Sequence, residues 1–441
     1  MVFIKIVFKN TFLFALILFI SCGSLTKPQA TASPVIVPEV THKKIDTQPS
    51  LDAVAPIYVG ANQTDKYLPL LKGKKIALVS NQTSVVFRTP FFQKHLLPAG
   101  VAIDEASLYV HLADTLLSQN INLVKVFAPE HGFRGKADAG ELVEDGKDTR
   151  TGLPVISLYG ANKKPSKKAM EGIELVVFDI QDVGVRFYTY ISTLHYVMQA
   201  CAENNIPILI LDRPNPNGSY VDGPTLEEEH ASFLGMHAIP LVHGMTIGEY
   251  ATMVNKEGWL GENLVCDLTV IPVANYTHRD TYSLPIRPSP NLPNDIAINL
   301  YPSLGLFEGT TINAGRGTEM QFQLYGAPDL AMDKFEYAYI PQPNFGSKSP
   351  KHNGNVCYGE IVTSNFPTNA VNLEWLIKAY TNSTNPAGFF KTKSFTLHAG
   401  TKKLQQQIQN NIPLEAIRES WKLGIELHKK RREKYALYPL D

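Results

Sequence analysis

Between residues 75 and 211 the chain alternates short, uninterrupted apolar runs with stretches of helical periodicity. That is the pattern of parallel βαβ units. Apolar runs at 75–79, 122–127, 155–159, 175–178 and 206–211 predict five strands covered on both faces. Four of them run directly into polar clusters: Ser80-Asn81-Gln82-Thr83, Ala128-Pro129-Glu130-His131-Gly132-Phe133-Arg134-Gly135, the stretch from Asp179 to Arg186, and Asp212-Arg213-Pro214-Asn215-Pro216. If the strands lie parallel in one sheet these clusters share one rim, and ligands of open α/β sheets bind in the crevice outside that rim. A helix follows the fourth strand, because Ile191, Leu194, His195, Val197 and Met198 fall on one face. Tyr188 and Tyr190, two residues apart, would point the same way from an extended strand, as a phenol and stacking wall or as core aromatics.

The second half is patterned differently. Thr246 opens a helix, 264–273 reads as a strand of a new unit, and Ser289-Pro290-Asn291-Leu292-Pro293 is a rigid extended turn. A glycine-spaced polar loop at 301–319 carries Glu308, Arg316 and Glu319. Arg316 there is either a bidentate clamp for a carboxylate or the partner of Glu308 or Glu319 in a surface turn. The last fifty residues predict two helices, with Leu404, Ile408, Ile412, Ile417, Trp421 and Ile425 on core faces.

The N-terminus is not part of this pattern. Lys5 and Lys9 precede an apolar run at 11–20, which reads as a signal peptide over 1–21. Ser21-Cys22-Gly23 resembles the lipobox of bacterial lipoproteins, so Cys22 is expected to be acylated and to hold an exported protein at the membrane, facing the periplasm. Residues 22–55, rich in Pro, Thr, Ser, Ala and Lys, form a flexible tether. No other segment reaches the 18 apolar residues of a spanning helix. The remaining length exceeds one ordinary core, predicting a domain at 56–250 and a smaller one at 251–441.

Composition adds exclusions. With 41 basic and 41 acidic residues no global field points to nucleic acid. Cys201, Cys266 and Cys357 lack the spacing of a disulfide framework or zinc knuckle and read as small buried residues. The first strand is not followed by Gly-x-Gly-x-x-Gly, and no Walker sequence, Gly-x-Ser-x-Gly elbow or His-Glu-x-x-His occurs, so no cofactor is expected. Glu130, His131, Asp179, Asp182 and His243 are the residues a metal would have to collect, and none is expected there.

Glu130 is the first catalytic candidate, with His131 beside it. A carboxyl held in a glycine-shaped loop at the mouth of a cleft suits a general acid; the plainer reading pairs it with Arg134 to hold the turn. Of Asp179 and Asp182, one is expected to brace the strand end through backbone N–H groups and the other to orient or assist a reacting group.

Taken together, Asn81-Gln82-Thr83, Ala128-Pro-Glu-His-Gly-Phe-Arg-Gly135, Phe178-Asp-Ile-Gln-Asp-Val-Gly-Val-Arg-Phe-Tyr188, Leu211-Asp-Arg-Pro-Asn-Pro216, His243-Gly-Met-Thr246, Ser289-Pro-Asn-Leu-Pro293 and Glu308-Gly-Thr310 resemble the exo-β-N-acetylmuramidases of the NamZ type, from about residue 57 to the C-terminus. The resemblance implies an α/β fold, a Rossmann-like parallel-sheet domain followed by a smaller α+β C-terminal domain. It implies release of non-reducing-end N-acetylmuramic acid from MurNAc-GlcNAc fragments of peptidoglycan, with Glu130 as acid. Its partner would be Asp182, ahead of Asp179, or the sugar's own acetamido oxygen. Arg186, Arg213 and Arg316 are then the candidates for the lactyl carboxylate, and Asn81, Gln82 and Tyr188 for other sugar contacts. Two other classes fit a tethered two-domain clamp: a binding lipoprotein without turnover, and a metal-dependent hydrolase.

Overall fold

A computed structural model describes residues 55–88, 108–135, 145–363 and 367–440; the signal segment, Cys22 and the tether expected from the sequence lie outside the described residues. Up to residue 271 the described strands are β1 (Ile76–Ser80), β2 (Val85–Phe87), β3 (Tyr109–His111), β4 (Leu123–Ala128), β5 (Gly146–Lys147), β6 (Pro154–Ser157), β7 (Leu175–Asp179), β8 (Ile208–Leu211) and β9 (Leu268–Ile271), the five apolar runs being β1, β4, β6, β7 and β8. Seven of these build one sheet in the order β5-β6-β4-β1-β7-β8-β9, parallel throughout except for β5. Counted in chain order, its six parallel strands run 3-2-1-4-5-6, the doubly wound Rossmann order, with the switch point between β1 and β7.

Every residue of β1, β7 and β8 is buried, which is why these strands read as continuous apolar runs rather than alternating ones. The strand expected to open a new unit is instead the sixth parallel strand: Leu268–Ile271 pairs in register with Ile208–Leu211. The expected helix is Tyr190–Glu203. Tyr190 is its first residue rather than a strand position, because the chain turns at Thr189; the Tyr188 and Tyr190 rings still meet edge to face at 4.8 Å.

Beyond the helix Asp295–Leu304 and the tight turn Gly305–Gly309 lies an antiparallel sheet of β10 (Leu324–Ala327), β12 (Cys357–Ile361) and β11 (Tyr337–Tyr339), in that order. Four helices rather than two follow residue 391: Thr392–Ala399, Lys403–Gln409, Leu414–Glu419 and Lys422–Glu433. Gly400 and Asn411 in left-handed conformations, with Pro413 after the latter, interrupt what the apolar spacing joined. Leu404, Ile408, Ile417 and Trp421 are buried as expected, whereas Ile412 is exposed.

The C-terminal segment is stitched back onto the sheet by buried polar groups. Arg186, fully buried, donates to the carbonyls of Pro224 and Ile239 and, some 212 residues on, to those of His398 and Ala399. Arg418 meets Asp222 at 2.9 Å, and the Tyr438 hydroxyl donates to Asp212. Cys201, Cys266 and Cys357 are buried thiols. Among the described residues no helix is long and apolar enough to cross a membrane.

Candidate active site

At the end of β4 the chain turns sharply through Pro129, Glu130, His131 and Gly132, closed by the Gly132 N–H on the Pro129 carbonyl at 3.0 Å. His131 and Gly132 both adopt positive φ, 70° and 76°, so the chain doubles back and leaves Glu130 on the rim of the sheet. Thr189, which precedes the helix Tyr190–Glu203, donates its hydroxyl to Glu130 Oε2 at 2.9 Å, and the Tyr159 phenol lies within electrostatic reach of this carboxylate. Burial, and then the charge of Glu130, push the phenols of Tyr159 and Tyr190 above the ordinary tyrosine range. They therefore stay protonated, and the Tyr190 hydroxyl donates to the Glu130 backbone carbonyl at 3.5 Å. Arg134 does not pair with Glu130: it forks onto Asp148 at 3.1 and 2.8 Å.

A second carboxylate faces this loop from the other half of the sequence. Glu308 sits in the turn Gly305–Gly309, where a Cβ on Gly309 would come within 2.3 Å of the Phe395 Cα, so only glycine lets the turn lie this close to the helix Thr392–Ala399. Arg316 reaches Glu308 through Nε at 3.0 Å and rests its guanidinium over the Phe322 ring at 5.1 Å. The Lys351 ammonium lies among the carbonyls of Phe307, Thr310 and Ile312 at 2.9 to 3.1 Å. Burial would raise the Glu308 carboxyl, but Arg316, Lys351 and His398 outweigh it and hold it down at about 2. Burial brings the Lys351 ammonium down to about 8.

Glu130 and Glu308 open onto one cavity of about 980 Å³, at the upper end of the range for ligand sites. Among the described residues they are its lining carboxylates, and its cations are Lys163, Arg316, Lys348 and Lys351. Tyr159, Tyr188, Tyr301 and Phe233 supply aromatic wall. Backbone conformation marks the same place. Apart from asparagines, which tolerate the left-handed region, the described non-glycine residues with positive φ are His131, Phe322 and His352. The first two line the cavity and the third follows Lys351. Such strain, on the order of 1–3 kcal/mol per residue, gathers at functional sites.

Of the residues singled out from the sequence, the fold brings Glu130, His131, Tyr188 and Arg316 to this cavity. Glu308, expected only as a partner of Arg316, lines it too, whereas Asn81, Gln82, Asp179, Asp182, Arg186 and Arg213 do not. Asp179 and Arg213 form a buried bidentate pair at 2.6 and 2.9 Å, so neither the carboxylate nor the guanidinium is left for a substrate. Asp182, also buried, accepts the Gly184 N–H at 2.7 Å and lies 3.7 Å from His243. Arg186 is engaged with backbone carbonyls, as above. Asn81 caps its own turn by accepting from Thr83 and donates to the Tyr190 hydroxyl at 2.8 Å; Gln82 donates to the carbonyls of Arg287 and Pro288. These polar residues hold the loops that hold the site. Tyr188 does both, lining the cavity while its hydroxyl donates to Pro288 at 2.6 Å.

Sequence alone offers Glu308 only as a partner of Arg316 and gives no sign that Tyr159, Lys351 and Tyr301 line the same cavity. Only the Glu308-Gly-Thr310 motif carried a signal, since a separation of nearly two hundred residues from Glu130 leaves no local trace. The described side chains spaced closely enough to hold a metal ion are Glu227, Glu229 and His230, and none of them lines the cavity.

Comparison with known proteins agrees with this architecture. Residues 76–296 match the N-terminal, and residues 299–438 the C-terminal, profile of "Exo-beta-N-acetylmuramidase NamZ". Glu130 falls within the first and Glu308 and Arg316 within the second. The peptidoglycan beta-N-acetylmuramidase NamZ of Bacillus subtilis (strain 168) is 37% identical over 434 residues, covering 94% of this chain and 96% of that protein. Two crystal structures of DUF1343 family proteins from Bacteroides fragilis NCTC 9343 superpose on it. One has TM-score 0.75 at 41% identity, covering 88% of this chain and all of the other; the second has TM-score 0.70 at 26% identity, covering 87% and 99%.

Proposed function

The chain belongs to the NamZ family of exo-β-N-acetylmuramidases, and from that premise we propose that its cavity removes N-acetylmuramic acid from the non-reducing ends of peptidoglycan fragments, with Glu130 as general acid. The protein is a glycoside hydrolase. What carries the residue assignment is the pairing of two carboxylates in one cavity, Glu130 bonded by the Thr189 hydroxyl beside protonated phenols and Glu308 kept ionised by cations. Carboxylates in contrasting environments divide the roles of such chemistry between them.

In this reading Glu130 protonates the glycosidic oxygen as positive charge develops at the anomeric carbon. Glu308, ionised throughout the neutral range, offsets that charge and orients the attacking water or the acetamido oxygen of the sugar. Asp182 and Asp179 are left with structural work, being outside the cavity or neutralised by Arg213. The lactyl carboxylate is assigned to Arg316. Two cations, Arg316 and Lys351, face one carboxylate, Glu308, which leaves one positive charge for the ligand.

Export and anchoring belong to the same proposal. The basic N-terminus, the apolar run and Cys22 support a lipid anchor, and 22–55 a tether from which the enzyme works at the membrane surface, facing the periplasm.

The test is chromophore release from 4-nitrophenyl β-N-acetylmuraminide and the matching glucosaminide, by the protein beginning at residue 55 and by its Glu130→Gln variant. Activity confined to the muraminide, and lowered about 10²- to 10⁴-fold in the variant, is expected. Binding without turnover by the parent protein would make it a receptor and overturn the proposal.

A further inference from the structure

Around Glu130 the cavity has two unlike sides. On one, Tyr301 lies within electrostatic reach of Glu130, Glu308 and Arg316, the group assigned above to muramic acid. On the other, Tyr159 links Glu130 to a second set of residues that no catalytic role has absorbed. The Phe233 ring lies 6.4 Å from that of Tyr159, is stacked at 15° on Tyr196, and carries the Lys163 ammonium 4.7 Å from its centroid. Tyr159, Lys163 and Phe233 all line the cavity, and all three are only half-buried.

Phe233 does not join the hydrophobic core. Yet its place is fixed. Ser232 and Gly235 exchange backbone hydrogen bonds at 2.8 and 3.0 Å, and the Leu234 N–H bonds the Ser232 hydroxyl, so Phe233 is held at the tip of a tight turn. Gly235 packs against buried Arg186, where an added Cβ would meet the arginine side chain at 3.0 Å. An apolar ring positioned over a polar cavity by such a turn is preorganised for a ligand with an apolar face.

We infer that Tyr159, Lys163 and Phe233 form a leaving-group platform, which stacks the N-acetylglucosamine ring released when the muramic acid bond is cut. This rests on the muramidase reading of the cavity. A general acid must reach the oxygen joining two sugars, so the two sugars lie on either side of it. With Arg316 and Glu308 taking the muramic acid, the next ring falls on the Tyr159 side. Pyranose rings present C–H faces that pack on aromatic rings, while the Lys163 ammonium and the Tyr159 hydroxyl are donors for the sugar's rim oxygens.

The experiment compares kcat/KM for the disaccharide MurNAc-β-1,4-GlcNAc with that for methyl β-N-acetylmuraminide, which has no second ring, by measuring released muramic acid. In Phe233→Ala the disaccharide is expected to lose about tenfold, the scale of one aromatic contact, with the methyl glycoside unchanged. Phe233→Tyr, which keeps the ring, is expected to retain the parent's preference. Equal losses on both substrates, or an unaffected disaccharide, would overturn the platform. A parent protein releasing muramic acid from neither substrate would refute the reading beneath it.

Discussion

Replacing Arg316 by glutamine removes a cation with two separable effects. Its Nε bonds Glu308 at 3.0 Å, and among the groups that lower the Glu308 carboxyl it is the largest. The displacement of that carboxyl from an ordinary 4.5 to about 2 corresponds to roughly 3 kcal/mol in favour of the ionised form. Burial opposes this net figure, so losing Arg316 should return the carboxyl by more than one pH unit. The sign follows from the depressed value: the ionised form, and the stability it contributes, is complete above the unfolded value near 4.5 and is lost as pH falls through about 2. In Arg316→Gln the loss begins earlier, and activity relative to pH 7 should drop between pH 4 and 5, where the parent holds. The second effect is on recognition. A charge-assisted contact to the lactyl carboxylate is worth about 1.5–3 kcal/mol, or roughly 10- to 150-fold. Competitive inhibition by N-acetylmuramic acid should weaken by that factor, and inhibition by its lactyl methyl ester, which has no charge, should not. Equal weakening for acid and ester, with an unmoved acid limb, would refute both assignments.

Other outcomes follow from the same structure. Asp179→Ala leaves the Arg213 guanidinium buried without its partner and should cost about 3–5 kcal/mol in a urea melt, whereas replacing both by apolar residues of similar volume should cost much less. Lys351, brought down to about 8 by burial, releases its proton in the folded state while the unfolded chain keeps one up to 10.5. Raising pH from 8 to 10 should therefore add stability from this group while kcat/KM for muramic acid substrates falls; in Lys351→Met that alkaline fall should flatten. Cys22→Ala should move the protein from the membrane to the soluble fraction in a cell fractionation, and continued membrane retention would remove the acyl anchor from the proposal.

Much of the fold could be read because burial on both faces leaves unbroken apolar runs, and all five expected strands stand within two residues of their predicted ends. The sixth, Leu268–Ile271, reads as a strand of a separate unit, since its pairing with Ile208–Leu211 spans some sixty residues that carry no mark of destination. At the site, local chemistry and location parted. Glu130 was legible from its proline and glycines. Asn81, Asp179, Arg186 and Arg213 looked the same by residue type, yet they are the buried polar groups a rim of irregular turns requires to satisfy its backbone and charges. Sequence marks a polar group that will be engaged, not whether protein or ligand will engage it. Tyr159 and Lys351 show the converse, ordinary residues given significance only by what the fold places opposite them.

Buried Arg186 also sets an order of events for the growing chain. Two of its four carbonyl partners, those of His398 and Ala399, are made 212 and 213 residues after it. The sheet's last strand ends at Ile271, so at about 5–20 residues per second roughly 6–25 s pass in which a sheet spelled out in full cannot finish closing around that guanidinium. Asp222 and Asp212 meet partners made later still in the chain, Arg418 and Tyr438. A protein whose first half draws buried partners from its last forty-four residues completes that half only when its synthesis is nearly over.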